Sequence, residues 1–177
     1  MPLPRHTAAA LIGLSIGLLA ACAPELDWRE VRPAGSAVHA LFPCKASQRT
    51  RELPLAGAQI RMSLQACSAA GQTWGLAMAD MSDPARVAPA LAELARSASQ
   101  HTVAPNMRSE PAQVPGATPH PGSQRLWLQG QRPDGSALEV QMLLFGHGTQ
   151  VFQATVMGER VSADAAVTFF EAVRVRP

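Results

Sequence analysis

The stretch 124-QRLWLQGQRPDGSALEVQMLLFGHGTQVFQATVMGE-159 decides the fold. Three runs rich in alternating apolar residues are separated by two turn signals, RPDGS (132–136) and GHGT (146–149). Each signal carries glycine where a tight turn calls for positive φ. In the middle run Leu138, Val140, Met142 and Leu144 recur at every second position, the period of a strand whose side chains point to alternate faces. The segment therefore predicts a three-stranded antiparallel meander.

C-terminal to the meander the period changes. In 162-SADAAVTFFEAVRV-175, Ser162 is placed to cap a helix over 163–172, and Asp164 stands in the first turn, where the helix dipole favours an anion. Ala166, Phe169, Phe170 and Val173 make the stripe to be buried. Adjacent helical residues point about 100° apart. Burying both phenylalanines thus requires the helix to be covered on two sides.

N-terminal to the meander, 36-SAVHALFPC-44 alternates and stops at Pro43, giving a first strand. The run 49–81 holds two further turn signals, LAGA (55–58) and AAGQ (69–72). Between them Ile60, Met62, Leu64 and Ala66 share one face, and Gln59, Arg61, Ser63 and Gln65 the other. That is the pattern of a sheet with one wet side. Trp74, Leu76 and Met78 are in phase in the following strand. Arg49 to Leu55 is a weaker strand, confined by Pro54 to an edge or an end. In 82-SDPARVAPALAELARSASQHT-102 helical spacing returns. Pro89 inside a helix would cost about 3 kcal/mol, so the main helix is expected over Pro89–Gln100, after a separate turn at Pro84. The segment 103-VAPNMRSEPAQVPGATPHPGS-123 has five prolines and no period, and reads as a long connection with at most a short strand at 112–114.

Strands, helix, strands, helix, without repeats, make a single α+β domain over 36–177. The prediction is a twisted antiparallel β-sheet from strands in 36–80 and 124–159, with two helices packed on one face.

Ahead of it, a short head with Arg5 leads into the apolar run Ala8–Ala21, about fourteen residues. A membrane span needs roughly 20, so the run has the dimensions of a secretory signal. Its end offers two cleavage patterns. Ala21–Cys22–Ala23 would put Pro24 just after the cut, a residue poorly accepted there. Leu19–Ala20–Ala21–Cys22 resembles the bacterial lipoprotein signal. That resemblance implies cleavage before Cys22, a diacylglyceryl thioether on its sulfur and acylation, palmitate included, of the freed amine. More than one acyl chain anchors a protein stably without a transmembrane helix. Residues 1–21 are then a lipoprotein signal peptide and 22–35 a lipid-anchored tether. Ala23 stands where a retention signal would place aspartate. By analogy with enteric bacteria this points to the outer membrane, with the domain facing the periplasm.

Once Cys22 is assigned to lipid, Cys44 and Cys67 remain, and in an oxidising compartment such a pair bonds. Without Arg5 the chain carries 14 Lys+Arg against 13 Asp+Glu. That balance lacks the basic face of a nucleic-acid binder.

The pieces LDWREVRP (26–33), ALFPCKA (40–46), the meander and FFEAVRV (169–175) resemble a pattern in uncharacterised proteobacterial lipoproteins. More distantly the chain is similar to the PsbP-like domain. That resemblance implies a twisted antiparallel sheet packed by helices, and a role in assembly without catalytic groups. It assigns no binding residue.

Chemistry-bearing residues are scattered. His39, His101, His120 and His147 have no partner at i+3 or i+4. No serine stands in a G-x-S-x-G turn. Asp80 and Asp83 flank a turn before the helix, where a cap is the simpler role. Met62, Met78 and Met142 are in phase with core residues and read as core filling rather than as a copper site. Trp28, in the tether, is placed either to enter the membrane interface or to dock on the domain. The expectation is a non-catalytic envelope module, with no cofactor and no metal, that binds a partner protein or an apolar ligand. The competing one is a hydrolase or metal-dependent enzyme assembled from scattered Asp, His and Ser.

Overall fold

The computed structural model describes residues 25–100 and 102–176. Cys22, the signal segment and His101 lie outside the described residues. The meander forms as expected: β7 (Gln124–Gln131), β8 (Ala137–His147) and β9 (Gln150–Gly158) pair antiparallel in sequence order. They occupy the fourth to sixth places of a seven-stranded antiparallel sheet in the order β3-β4-β5-β9-β8-β7-β6. Its other members are β3 (Ser47–Leu55), β4 (Ala58–Ala69), β5 (Gln72–Asp80) and β6 (Val103–Pro111). The hairpins β3–β4 and β4–β5 turn through Ala56–Gly57 and Ala70–Gly71, at the two predicted places. β3 is an edge strand, as Pro54 required.

Four expectations are corrected. First, the strands do not all join one sheet. β2 (Val38–Phe42) leaves the large sheet and forms a three-stranded layer with β1 (Arg29–Val31) and β10 (Arg174–Val175). Val38, Ala40 and Phe42 bury one side of β2 against the large sheet. Residues 25–35 of the segment read as a tether are therefore folded: Leu26, Trp28 and Val31 pack on the core, and Asp27 N donates to Pro43 O at 2.8 Å. Trp28 docks edge-on to Trp74, ring centroids 6.1 Å apart.

Second, the two helices do not share a face. On β5, Trp74 and Leu76 join one core and Ala79 the other; on β9, Phe152, Ala154 and Val156 oppose Val151; on β8, Leu143 and Phe145 oppose Val140, Met142 and Leu144. Since successive strand residues point to opposite faces, these are cores on opposite sides of one sheet. α2 (Ala163–Glu171) and the small sheet cover the first face, and α1 (Val87–Ser97) covers the second. The central strands contain consecutive apolar residues such as Met142–Phe145, the composition of a sheet buried on both sides.

Third, α1 begins at Val87 and ends at Ser97, so Pro89 is its third residue. The first N–H groups of a helix have no partner within it, and the missing N–H of proline costs little there. Asp83 caps the preceding 3-10 turn by accepting from Ala85 N at 2.8 Å. Gly146 gives α1 its seat: a Cβ there would press on the Val87 side chain.

Fourth, the proline-rich connection contains a full edge strand, β6. Its ladder with β7 is irregular between Val103 and Asn106, where Pro105 lies, and it ends at Pro111. An edge strand tolerates a missing donor in both places. Residues 112–123 then pack back: Val114 is buried, and Val175 N donates to Pro115 O at 2.8 Å. Gly116, in the left-handed region, allows this approach, because a Cβ would collide with the Val175 carbonyl.

Phe169 and Phe170 are both buried, as the helix pattern demanded. Phe169 meets Phe42 and Trp74 edge-on at 5.4 and 5.3 Å, so its ring joins α2 to both the small and the large sheet. Cys44 and Cys67 form the expected disulfide, with Cα atoms 6.0 Å apart. It ties the exit of β2 to β4. No helix among the described residues is long and apolar enough to cross a membrane.

Candidate functional site

The residues singled out for chemistry in the sequence do not converge. His39 lies largely buried, its Nδ1 2.7 Å from Glu30 Oε1. That contact, seconded by Arg32, holds the Glu30 carboxyl well below the usual range, at about 2. His120 Nδ1 accepts from Gly122 N at 2.9 Å and closes a turn. His147, at the end of β8, has Nδ1 3.4 Å from Thr118 Oγ1. Asp80 accepts from Ser82 N and Thr149 Oγ1, both at 2.8 Å, and fastens two loops. Met142 fills the core beside α1, while Met62 and Met78 are partly buried on opposite faces. Among the described residues no three His, Cys, Asp or Glu side chains come together in a way that could hold a metal.

What the fold does assemble is a groove on the α2 face, beyond the reach of α2 and the small sheet. Register places Arg108 of β6, Trp127 of β7 and Gln141 of β8 side by side. The next row toward the strand ends is Asn106, Gln129 and Glu139. These six side chains line a hollow of about 310 Å³. The Arg108 guanidinium lies over Trp127, 4.0 Å from the ring centroid, and Arg125 lies 5.3 Å from the same ring. Arg125 also covers Phe170 at 3.4 Å, continuing the stack from the groove to α2. Such cation–π contacts strengthen as water is removed.

Each ionisable group in the groove has a structural task. Arg108 Nη1 donates to Glu110 Oε1 at 2.7 Å, Arg125 Nη2 to Gln141 Oε1 at 2.7 Å, and Val161 N to Glu139 Oε2 at 2.8 Å. Burial pushes the Arg125 pKa down to about 10, still far above neutrality, and its Nε is buried without an acceptor among the described residues. A second hollow of about 390 Å³ begins on the other side of Arg125, walled by Val114, Pro115, Leu143, Phe170 and Val173. The half-buried guanidinium thus separates a polar hollow from an apolar one.

This groove was not foreseen in the sequence. A signal was present in 125-RLWL-128, where Arg and Trp occupy one face of a strand and two leucines the other. The partner strand carrying Arg108 went unrecognised because of its prolines. A scan against protein-family models finds no match for the chain, and a search of curated proteins finds none either.

Proposed function

We propose that this chain is a lipid-anchored envelope lipoprotein of the outer membrane, a non-catalytic binding or assembly module facing the periplasm. Its contact surface is the Arg108–Trp127–Arg125 groove. The observation that carries the binding role is the state of that groove: a half-buried tryptophan in an amide-rich surface whose charged groups are already engaged in holding structure. A reacting centre instead needs an acid, base or nucleophile free to move a proton or attack. Guanidinium groups stacked on aromatic rings, bordered by an apolar hollow, suit an extended segment of a partner protein with polar and apolar residues. The anchoring role rests on Leu19–Cys22 and on the disulfide, which fits an oxidising compartment.

The test has two arms. Cys22→Ser is expected to leave the protein without acyl chains by mass and to remove it from the membrane fraction. Unchanged mass and membrane association would sink the anchor. A photo-crosslinking side chain at Gln129 is expected to give a discrete envelope adduct in intact cells, lost in Trp127→Ala. An adduct indifferent to Trp127 would remove the groove from the proposal.

A further inference from the structure

We infer that the anchor holds the domain end-on, with the turns Ala70–Gly71, Pro133–Gly135 and Glu159–Arg160 toward the bilayer and the opposite end of the strands away from it. The inference rests on the lipid-anchored reading above.

Three observations fix which end is which. The chain enters the fold beside Pro43 and Trp74, through the Asp27–Pro43 hydrogen bond and the Trp28–Trp74 contact. Trp74 is two residues from the Gln72 end of β5 and pairs with Val156, two residues before the end of β9. From there β1 runs toward the opposite end, where Gln150 Nε2 donates to Gly35 O at 2.8 Å. The chain upstream of β1 therefore leaves along the strand axis, at the end where β5 starts and β9 stops. Ala70, Gly71, Arg132, Asp134, Ser136, Glu159 and Arg160 line one shallow hollow there, so the three turns form a single end surface.

The leash is short. With Leu26 and Trp28 packed into the core, only four peptide steps separate Cys22 from Leu26, at most about 14 Å of extended chain. Asp80, at the other end of β5, is roughly 20 Å further along the strand than Trp74. A folded stretch where a fourteen-residue tether was expected therefore changes the reach of the whole domain. The outer side of the small sheet, the surface that would meet lipid if the domain lay flat, carries the ionic groups of Glu30 and Arg32, which pair there, with His39 against Glu30. Their hydration disfavours that pose. The groove lies at the anchored end, since Glu139 pairs with Gly158. Its partner is thus a protein held close to the membrane surface.

The orientation is read with the full, lipidated chain in phosphatidylethanolamine–phosphatidylglycerol vesicles containing a nitroxide-headgroup lipid. Fluorophores are placed at Glu159→Cys and Ala85→Cys, exposed sites at opposite ends. Quenching is expected to be several-fold stronger at position 159 than at 85. Insertion of about twelve Gly/Ser residues after Ala23, adding a reach of about 19 Å, should bring the two values together. Equal quenching in the parent chain, or stronger quenching at 85, overturns the orientation while leaving the anchor intact. A difference that survives the spacer overturns the short leash as its cause. A chain that does not float with the vesicles overturns the anchored reading and the orientation with it.

Discussion

One face of the large sheet collects all five phenylalanines of the chain together with Trp74, whereas the other buries no aromatic residue among those described. The aromatic face is closed by α2, by the small sheet and by the disulfide. Its rings interlock, Phe169 against Phe42 and Trp74, and Phe145 stacked on Phe152 at 4.8 Å. The aliphatic face is filled by Leu, Ile, Val, Met and Ala and covered chiefly by α1. Large rings fill a deep space between two sheets, where each makes edge-on contacts beyond its area burial. Branched aliphatic side chains suit the shallower space under one helix. The difference teaches that the aromatic side couples distant parts of the chain, N-terminus, middle and C-terminus, while the aliphatic side is assembled more locally.

The largest effect is expected from Phe169→Ala, about 3–5 kcal/mol of stability, because it empties the junction of three layers. Leu91→Ala, fully buried on the other face, should cost about 2–5 kcal/mol. The comparison is sharpened by where the damage spreads. Hydrogen exchange should quicken across β2, β5 and α2 in the phenylalanine variant, but mainly within α1 in the leucine variant. A Phe169→Ala protein with the parent's denaturation midpoint would mean that the aromatic face is not the coupling element.

Next comes the disulfide, which binds the small sheet to the aromatic face. Its loop spans 23 residues of separation, and the chain-entropy relation gives about 3 kcal/mol. Cys44→Ser with Cys67→Ser should lower the denaturation midpoint accordingly, with exchange rising first in β1 and β2. Thiol labelling of the denatured, unreduced parent should find neither cysteine free, and two labelled thiols would refute the bond.

The smallest effect concerns Glu30 and His39, also confined to the small sheet. Glu30 has its pKa lowered from 4.5 to about 2, first by the hydrogen bond to His39 and then by Arg32. A lowered carboxyl pKa means that the pair's contribution is complete above about pH 4.5 and fades as pH falls toward 2. Glu30 is exposed at the surface, so the loss should appear as local loosening of β1 rather than unfolding. His39→Ala should raise the Glu30 pKa toward its ordinary value in an NMR titration. A carboxyl that still titrates near 2 would assign the effect to Arg32.

Much of the fold was legible because strand and helix periods are local. The meander, both β3–β5 hairpin turns and the α2 stripe follow from spacing and turn residues alone. The disulfide followed from counting, once one cysteine was set aside. What local patterns could not supply was the third dimension of the sheet. An apolar run such as Met142–Phe145 shows that both faces are buried but not what covers each. Nor does a proline reveal that it sits at an edge, where its missing N–H is harmless, and so β6 stayed hidden. The groove is the clearest case. Arg108, Trp127 and Gln141 share no spacing, and only the ladder register brings them side by side. Local sequence determined the elements and their turns through backbone geometry. The pairing of strands across the chain decided which helix covers which face, how the segment 25–35 docks on the core and where the groove lies, because those depend on contacts between residues far apart in sequence.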